Sequence, residues 1–329
     1  MNDAKSPVIR DVQLAIEQHQ RFAIATHVRP DGDAIGSLLG MTFMLRKLGK
    51  EVHPYCQDPV PEPQRFLSGS REIRHNIEEP SFYDAAILVD CGGFLRVGNT
   101  LADSIGKIPF LINIDHHLND VPFGDIFWVS PSASSTCEML YYLCRQLRLT
   151  LDPDIATQLY TGLLADTGSF RFSNTNQQVL EIASELVAAG AQPAYIAEQL
   201  YESASPESVQ LLARVLATIV FSSDSRLATA ALTQDMFAET RTSPEDSEGF
   251  INHLRAVKSV DLAMLFREDN NGLVHVSMRS KGEVDVAALA KRHGGGGHRN
   301  AAACRISGTL QTISSKLTQE ALDYLAGAS

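Results

Sequence analysis

The sequence lacks an excess of basic residues and long apolar runs, which are typical of proteins that bind long nucleic acids and of membrane proteins. Its 329 residues include 28 lysines and arginines against 39 acidic residues, which gives a formal charge of −11. Because proteins that hold long nucleic acids normally present a basic surface, we expect any nucleic-acid substrate to be short. No apolar run approaches the roughly 20 residues that cross a bilayer, and charged residues occupy the region where a signal peptide would be apolar. We therefore expect a cytoplasmic protein without a membrane partner.

Cysteine is also scarce. The five cysteines form an odd set without a Cys-x-x-Cys pair, which is typical of buried thiols in a reducing compartment rather than of a disulfide framework. The chain is 44% hydrophobic and 20% charged, a composition that indicates a folded globular protein and argues against disorder. Its length is sufficient for two domains.

Short apolar runs that end in polar or turn residues alternate with helical patterns in the first half of the chain. The runs are FAIATHV, EVHPYC, AAILVD and PFLINID. This alternation predicts an α/β layer with a mainly parallel sheet. From about residue 134 to residue 220 the sequence has helical periodicity instead.

The strand pattern starts again after residue 221. RLATAALT, DLAMLFRED, LVHVSMRS and AAACRIS predict strands, and DNNG between the second and third predicts a hairpin. The predicted organisation is therefore an N-terminal α/β domain over residues 1–190, a helical linker over 191–220 and a smaller α/β domain over 221–329.

Histidine and aspartate side chains follow several of the predicted strands. The candidate set is His27, Asp31, Asp33, Asp90, Asp115, His116, His117 and, after a helical run, Asp166. Because ligands bind at the carboxyl ends of parallel strands, we expect these side chains to lie at one edge of the sheet. Any one of the aspartates alone would more often be a helix cap or a turn residue. Three strand ends with the same chemistry indicate a site.

So many carboxylates in one place repel one another unless cations neutralise them. Carboxylate oxygens mixed with imidazole nitrogens suit Mn²⁺, Mg²⁺ or Fe²⁺, and zinc is less favoured without a cysteine ligand. Two such ions about 3.5–4 Å apart would activate a water and clamp a phosphoryl oxygen. The residues alone thus predict a two-metal hydrolase in which Asp90 bridges the ions.

These motifs resemble those of the DHH phosphoesterase superfamily. HVRPDGD at 27–33, VD at 89–90, DHH at 115–117 and ADTGSF at 165–170 are similar to its four motifs. GGGGH at 294–298 resembles the glycine-rich signature of the DHHA1 domain. The pairing of both domains is similar to the bacterial nanoRNases, a group of bifunctional oligoribonucleases and pAp phosphatases. The resemblance implies a DHH domain, a DHHA1 domain and an active site in the cleft between them.

The resemblance also implies a role for each motif residue. One metal would be held by His27, Asp31 and Asp90, and the other by Asp33, Asp90, His116 and Asp166. His117 would be a catalytic residue facing the phosphate, and Asp115 would orient a histidine. The two ions would be Mn²⁺, with Mg²⁺ or Co²⁺ as alternatives.

A second group of residues is predicted to bind the substrate. Consecutive glycines let backbone approach a ligand closely and can form a nest of N–H groups, and arginine forks bind phosphate. The candidates are Arg279, Gly295, Gly296, Gly297, His298, Arg299 and, near the metals, Arg171. A plain flexible loop is the alternative for the glycines, and helix capping is the alternative for Arg171.

The predicted function is therefore metal-dependent hydrolysis of short oligoribonucleotides, two to five nucleotides long, together with dephosphorylation of pAp to AMP. A cyclic-dinucleotide or pApA phosphodiesterase would share the motifs and stays open. An inorganic pyrophosphatase or exopolyphosphatase would share only the first half, so GGGGH argues against it. A non-catalytic nucleotide-binding module should have lost a ligand, whereas this set is complete. The family resemblance is compatible with a homodimer.

Overall fold

The computed structural model describes residues 7–117, 121–269 and 271–327, except for the side chain of His298. Contacts between Cα atoms divide the chain after Ser203 into two compact units. Each unit has its own sheet and its own hydrophobic core.

The first unit is built on a five-stranded parallel sheet. Its strands are β1 (Arg21–Ala25), β2 (Glu51–Tyr55), β3 (Ala85–Val89), β4 (Leu111–Asp115) and β5 (Ile126–Val129). Their order is β2-β1-β3-β4-β5, and every pair is parallel. The predicted parallel α/β layer is thus confirmed. The edge strand β5 was not predicted, since only Trp128 of its four residues is fully buried.

Helices cover the faces of this sheet. They are α1 (Pro7–Gln18), α2 (Gly32–Lys47), α3 (Asn99–Ile105), α4 (Thr136–Gln146), α5 (Pro153–Asp166), α6 (Gln177–Ala188) and α7 (Pro193–Tyr201). Short 3-10 helices at Glu62–Gln64, Ser70–Glu72, Pro80–Phe82 and Phe94–Val97 lie in the connections. Helix α2 is buried on nearly all sides. A Cβ at Gly36 would come within 2.6 Å of the carbonyl oxygen of Gln158, so glycine there lets α2 pack closely on α5.

The second unit has a six-stranded mixed sheet. Its strands are β6 (Val220–Phe221), β7 (Leu227–Leu232), β8 (Leu262–Glu268), β9 (Leu273–Ser280), β10 (Gly296–His298) and β11 (Ala301–Ser307), in the order β10-β11-β9-β8-β7-β6. Strands β7 and β8 are parallel, whereas the other neighbours are antiparallel. The antiparallel pairing of β8 with β9 confirms the predicted hairpin, of which Asn270 lies outside the described residues. Strands β6 and β10 are too short to give an alternating pattern and were not predicted.

Five helices accompany this sheet, namely α8 (Pro206–Leu216), α9 (Gln234–Thr240), α10 (Ile251–Arg255), α11 (Val286–Lys291) and α12 (Leu310–Gly327), with a 3-10 helix at Pro244–Ser247. The segment predicted as a helical linker contains α7 and α8, and the division after Ser203 falls between them. Helix α7 packs with the first unit, through its buried Ile196, and α8 with the second, through Leu211 and Val215.

Among the helices that the structure describes, none combines the length and the apolar character needed to span a bilayer.

Candidate metal centre

The segment that joins β1 to α2 carries three of the predicted ligands. Asp31 is the N-cap of α2, and its carboxylate accepts hydrogen bonds from the backbone N–H groups of Asp33 (3.1 Å) and Ala34 (3.0 Å). Asp33 lies in the first turn of the helix and is fully buried. The Nδ1–H group of His27 donates to the carbonyl oxygen of Val28 at 2.9 Å. Asp31 therefore caps the helix, as a lone aspartate often does. The cap fixes the turn that also carries His27 and Asp33.

Asp90 follows β3 and lies between two histidines. Its Oδ2 atom is 3.5 Å from Nε2 of His27, and its Oδ1 atom is 3.4 Å from Nε2 of His116. The residue is buried and has a φ of 57°, in the left-handed region where a residue other than glycine is strained. One carboxylate oxygen thus faces each histidine, as a bridging ligand requires.

His116 follows β4 and contacts carboxylates from three other segments. Its Nε2 atom is 3.0 Å from Oδ2 of Asp166 and 3.8 Å from Oδ2 of Asp33, in addition to its contact with Asp90. Its Nδ1–H group donates to the carbonyl oxygen of Ala133 at 3.4 Å. Asp166 is the last residue of α5, so a helix end joins the strand ends at this edge of the sheet.

His117, the third residue of the DHH motif, is held by hydrogen bonds to Asp115, the first residue of the motif. Oδ1 of Asp115 accepts hydrogen bonds from the backbone N–H of His117 (3.1 Å) and from its Nδ1–H group (2.8 Å). Asp115 is fully buried, whereas about a fifth of the His117 side chain is exposed. Nδ1 of His117 is also 3.6 Å from Oδ1 of Asp90. This geometry corresponds to the orienting contact expected of Asp115.

Among the residues that the structure describes, three groups of side chains bring ligand atoms within 4.8 Å of one another. They are His27, Asp31 and Asp90; Asp33, His116 and Asp166; and Asp90, His116 and His117. The first two follow the division expected from the motifs. The third adds His117 to the donor atoms around Asp90, which the sequence did not suggest.

The carboxylates of this cluster repel one another. Burial and the charges of Asp90 and Asp166 raise the pKa of Asp33 well above its usual range. Burial also raises the pKa of Asp166 to about 6, against the opposing hydrogen bond from His116. Burial would raise the pKa of Asp90 as well, but the hydrogen bond from His27 and the neighbouring histidines lower it. A positive charge at the centre would relieve this repulsion.

The histidines are arranged as metal ligands are. Both His27 and His116 donate Nδ1–H to a backbone carbonyl, so Nε2 is the nitrogen that faces the carboxylates and is left to bind a proton or a metal ion. Burial opposes protonation of His27, yet its hydrogen bond with Asp90 and the charge of Asp31 raise its pKa to about 9. A cation can take the position that this proton favours. The donor chemistry therefore fits divalent metal ions.

Helix α4 supports the cluster through contacts that sequence reasoning missed. The backbone N–H groups of Thr136 and Cys137 donate to the two carboxylate oxygens of Asp33, at 2.6 and 3.0 Å. The hydroxyl of Thr136 donates to Oδ1 of Asp90 at 3.0 Å. A helix N-terminus stabilises negative charge in this way. The only sequence signal was the N-cap Ser135 before a helical run.

The turn after Asp166 is fixed from within the first unit. Nδ2 of Asn174 donates to the carbonyl oxygens of Asp166 and Ser134, both at 3.1 Å. Residues 168–170 all have positive φ, between 56° and 62°. The exposed Arg171 donates through Nε to the carbonyl oxygen of Gly168 at 2.7 Å. Arg171 therefore lies close in sequence to a predicted ligand, but its known contact is with this turn.

The glycine-rich segment of the second unit forms part of the sheet. Residues Gly296–His298 are the edge strand β10, paired with Ala301–Ala303 of β11. A Cβ at Gly295 would overlap the carbonyl oxygen of Ala303, and Gly297 has a φ of 141°. Close approach to β11 thus requires these two glycines, independently of any ligand. Nothing lies within 4 Å of a Cβ built on Gly296, and the predicted His298 side chain is outside the described part of the structure.

Two predicted arginines lie near this segment. Arg279, on β9, is paired with Ala301 of β11, and its Nη1 donates to the carbonyl oxygen of Met278 at 3.0 Å. Arg299 forms an ion pair with the carboxylate of Glu283 and donates to its carbonyl oxygen at 2.9 Å. The structure therefore brings Arg279 and the glycines together in one sheet, whereas the exposed Arg299 is engaged with Glu283.

Comparison with curated proteins identifies relatives along almost the full length of the chain. It is 37% identical, over 92% of its length and 89% of the relative, to the "Bifunctional oligoribonuclease and PAP phosphatase NrnA" of Thermus thermophilus. It is 30% identical to the protein of the same name from Bacillus subtilis, over 89% of this chain and 90% of the relative.

A solved structure has the same fold throughout. The crystal structure of an exopolyphosphatase-related protein from Bacteroides fragilis superposes with a TM-score of 0.89, at 28% sequence identity and over 96% of both chains. The N-terminal domain of the DHH family matches residues 21–163, and the DHHA1 domain matches residues 224–325. The predicted family and the predicted order of its two domains are thereby confirmed, and this chain belongs to the DHH family.

Proposed function

We propose that this protein is a metal-dependent phosphoesterase that hydrolyses short oligoribonucleotides to mononucleotides and removes the 3′-phosphate of pAp to leave AMP. The observation that carries the proposal is the convergence of buried aspartates and histidines, with Asp90 between His27 and His116. The names of the two bacterial relatives support the substrates. The net charge of −11 is consistent with short rather than long RNA.

Two divalent ions would fit the donor groups. His27, Asp31 and Asp90 would hold one, and Asp33, Asp90, His116 and Asp166 would hold the other; His117 lies within reach of Asp90 as well. The hard oxygen donors favour Mn²⁺, with Mg²⁺ or Co²⁺ as alternatives. When bound, such ions supply the positive charge that acidifies a water and screens phosphoryl oxygens.

The protein's own groups would orient the substrate and move a proton. Because the Nδ1–H group of His117 donates a hydrogen bond to Asp115, Nε2 is the nitrogen that can exchange a proton with the leaving oxygen. The role predicted for Asp115 is to hold His117 in this tautomer. Burial of Asp33, Asp90 and His116 keeps bulk water away from the centre and strengthens every electrostatic contact there.

The second unit would bind the substrate. We assign phosphate recognition to Arg279 and the backbone of Gly295–Gly297, with Arg299 and His298 as further contacts and Arg171 as a contact from the first unit. Arg299 would exchange Glu283 for a substrate phosphate. The cytoplasm is the expected compartment because all five cysteines are free and buried. A homodimer, as the family resemblance allows, is part of the same proposal.

A substrate panel tests the function directly. Purified protein with Mn²⁺ or Mg²⁺ is incubated with dinucleotides, longer RNA, pAp, cyclic dinucleotides and pyrophosphate, and the products are separated by chromatography. We expect turnover of dinucleotides and pAp and little of long RNA. Preferential cleavage of a cyclic dinucleotide or of pyrophosphate would contradict the proposal.

A matched pair of variants tests the site. Asp90→Asn should lower turnover of every substrate at least about a hundredfold, since it removes the shared carboxylate. Asp103→Asn, on the exposed face of α3, makes the same chemical change away from the cluster and should retain wild-type turnover. Substantial activity of Asp90→Asn would remove the bridging assignment.

A further inference from the structure

A pocket of about 680 Å³ lies along β2, the edge strand of the first unit's sheet. It is lined by Arg46 of α2, by residues 50–54 and by residues 71–74. Three of the predicted metal ligands, His27, Asp31 and Asp33, follow the carboxyl end of the neighbouring parallel strand β1. No predicted metal ligand is among the residues that line the pocket, so the pocket is separate from the metal centre. Its size is in the range of small-molecule sites.

Positive charge predominates in the lining. The ionic side chains are the cations Arg46, Lys50, Arg71 and Arg74 and the carboxylates Glu51 and Glu72. The chain as a whole has the opposite balance, with 28 basic and 39 acidic residues. A cationic concavity on an acidic protein attracts small anions to that one place.

The carboxylates neutralise only part of this charge. Oε2 of Glu72 pairs with Nη2 of Arg46 at 2.8 Å, and Nζ of Lys50 donates to the carbonyl oxygen of His19 at 2.7 Å. Within the described part of the chain, Arg71 and Arg74 form no ion pair, and both side chains are exposed. Two guanidinium groups therefore retain their donors for a ligand.

One of these arginines has a fixed backbone. The N–H of Arg74 donates to the carbonyl oxygen of Pro54 at 2.9 Å, and its own carbonyl accepts from Cys56 at 3.0 Å. These bonds extend the sheet beyond β2 in a parallel bridge. Arg74 is thus attached to a rigid element, and Arg71 is placed by the short helix Ser70–Glu72 just before it.

The pKa of His53 is affected by the positive charge of the pocket. Its Nδ1 atom lies 2.9 Å from the hydroxyl of Tyr83, so the ring is held in place. Burial and the nearby guanidinium groups of Arg74 and Arg46 lower the pKa of His53, against the opposing charge of Glu51. An anion bound here would meet two arginine forks and one fixed ring.

We propose that this pocket binds a phosphate group, either as inorganic phosphate or as the phosphate of a nucleoside monophosphate, between Arg71 and Arg74. Planar guanidinium forks match the spacing of phosphate oxygens and bind them in pairs. The inference is independent of the activity at the metal centre, because none of the residues involved is a predicted ligand.

Calorimetric titration tests the site. Inorganic phosphate, AMP and sodium chloride at matched ionic strength are titrated separately into the metal-free full chain, so that bound cations do not compete for phosphate. The pocket variant is Arg71→Ala/Arg74→Ala. The control is Arg10→Ala/Arg145→Ala, which removes two exposed arginines of the first unit outside the pocket.

We expect saturable binding of phosphate or AMP by the wild type and by the control, and at least tenfold weaker binding by the pocket variant. Tighter binding of AMP would identify a nucleotide as the ligand, and equal or tighter binding of phosphate would identify the free ion. Absence of saturable binding, an equal response to chloride, or undiminished affinity of the pocket variant would overturn the proposal.

Two further measurements distinguish loss of the binding site from misfolding of the pocket variant. Arg71→Lys/Arg74→Lys keeps the charge but not the forks, and should lie between wild type and the alanine variant in affinity. The NMR signals of the His53 ring, assigned by their absence in His53→Gln, should shift during the phosphate titration of the wild type. Unmoved His53 signals at saturation would place the bound phosphate elsewhere and refute the site.

Discussion

The hydroxyl of Thr136 donates a 3.0 Å hydrogen bond to Oδ1 of Asp90, while the backbone N–H of the same residue donates to Oδ2 of Asp33 at 2.6 Å. One residue in the first turn of α4 therefore positions carboxylates that follow two different strands. Because the hydroxyl contact uses the Asp90 oxygen that faces His116, it sets the direction of that oxygen within the cluster.

Removal of this hydroxyl should weaken metal binding. Thr136→Val keeps the shape and the backbone contact, but it leaves Oδ1 of Asp90 without its donor. Loss of an outer contact of this kind typically lowers metal affinity about 10–100-fold. Competition with a fluorescent chelator measures the Mn²⁺ affinity. Thr136→Ser, which keeps the hydroxyl, is the control, and equal affinities of the two variants would refute the role.

Metal ions should stabilise the first unit. The buried carboxylates repel one another, so a bound cation favours the folded state. Mn²⁺ at a hundred times its dissociation constant should add about 2.7 kcal/mol to the free energy of unfolding. Thermal denaturation with and without Mn²⁺ measures the gain. Asp90→Asn should lose most of it, whereas Asp103→Asn should retain it; a metal response that survives in Asp90→Asn would argue for ions bound elsewhere.

Gly162 on α5 is predicted to tolerate no side chain. A Cβ at this position would overlap Oδ1 of Asp33 and Sγ of Cys137. Overpacking of a rigid core costs about 1–3 kcal/mol, and here it would also displace a predicted ligand. Gly162→Ala should thus lower both the melting temperature and the Mn²⁺ affinity. Gly327→Ala, at the open end of α12, should change neither.

Acid should release one contact between the starts of strands β1 and β3. Asp84 accepts hydrogen bonds from Nη2 of Arg21 (2.7 Å) and from the backbone N–H groups of Gln20 and Arg21. The Arg21 side-chain bond, against the effect of burial, lowers the pKa of Asp84 to about 2. Because the folded pKa is below the unfolded value of about 3.9, this contact stabilises the protein above that value.

The stabilisation should disappear as the pH falls from about 4 towards about 2. Urea denaturation at several pH values measures it. The unfolding free energy of Asp84→Asn should fall less steeply than that of the wild type in this window. Parallel curves for the two proteins would contradict the shifted pKa.

The strand ends that carry the cluster were predictable from local pattern. His27, Asp90 and Asp115 each end an apolar run, and parallel strands bring their carboxyl ends to one edge. The contact between Thr136 and Asp90 was not predictable in this way, because it joins residues 46 positions apart through the packing of α4. Nor did GGGGH reveal that Gly295 and Gly297 are required by close contact with β11.

The pocket along β2 shows the same limit of local sequence information. Arg46 and Arg74 belong to segments far apart in sequence. The bridge between Tyr55 and Arg74 and the ion pair of Arg46 with Glu72 bring them to one concavity. No motif marks them, since an isolated arginine has no distinctive neighbours in sequence.

The left-handed backbone conformation of Asp90 destabilises the fold, whereas its carboxylate is required at the proposed metal centre. A strained φ of this kind costs about 1–3 kcal/mol, and glycine would adopt it without strain. Asp90→Gly would relieve this strain, but it would also remove the contacts of the carboxylate with His27, His116 and Thr136. A strained residue at the centre of a cluster of buried carboxylates and histidines is typical of a functional site.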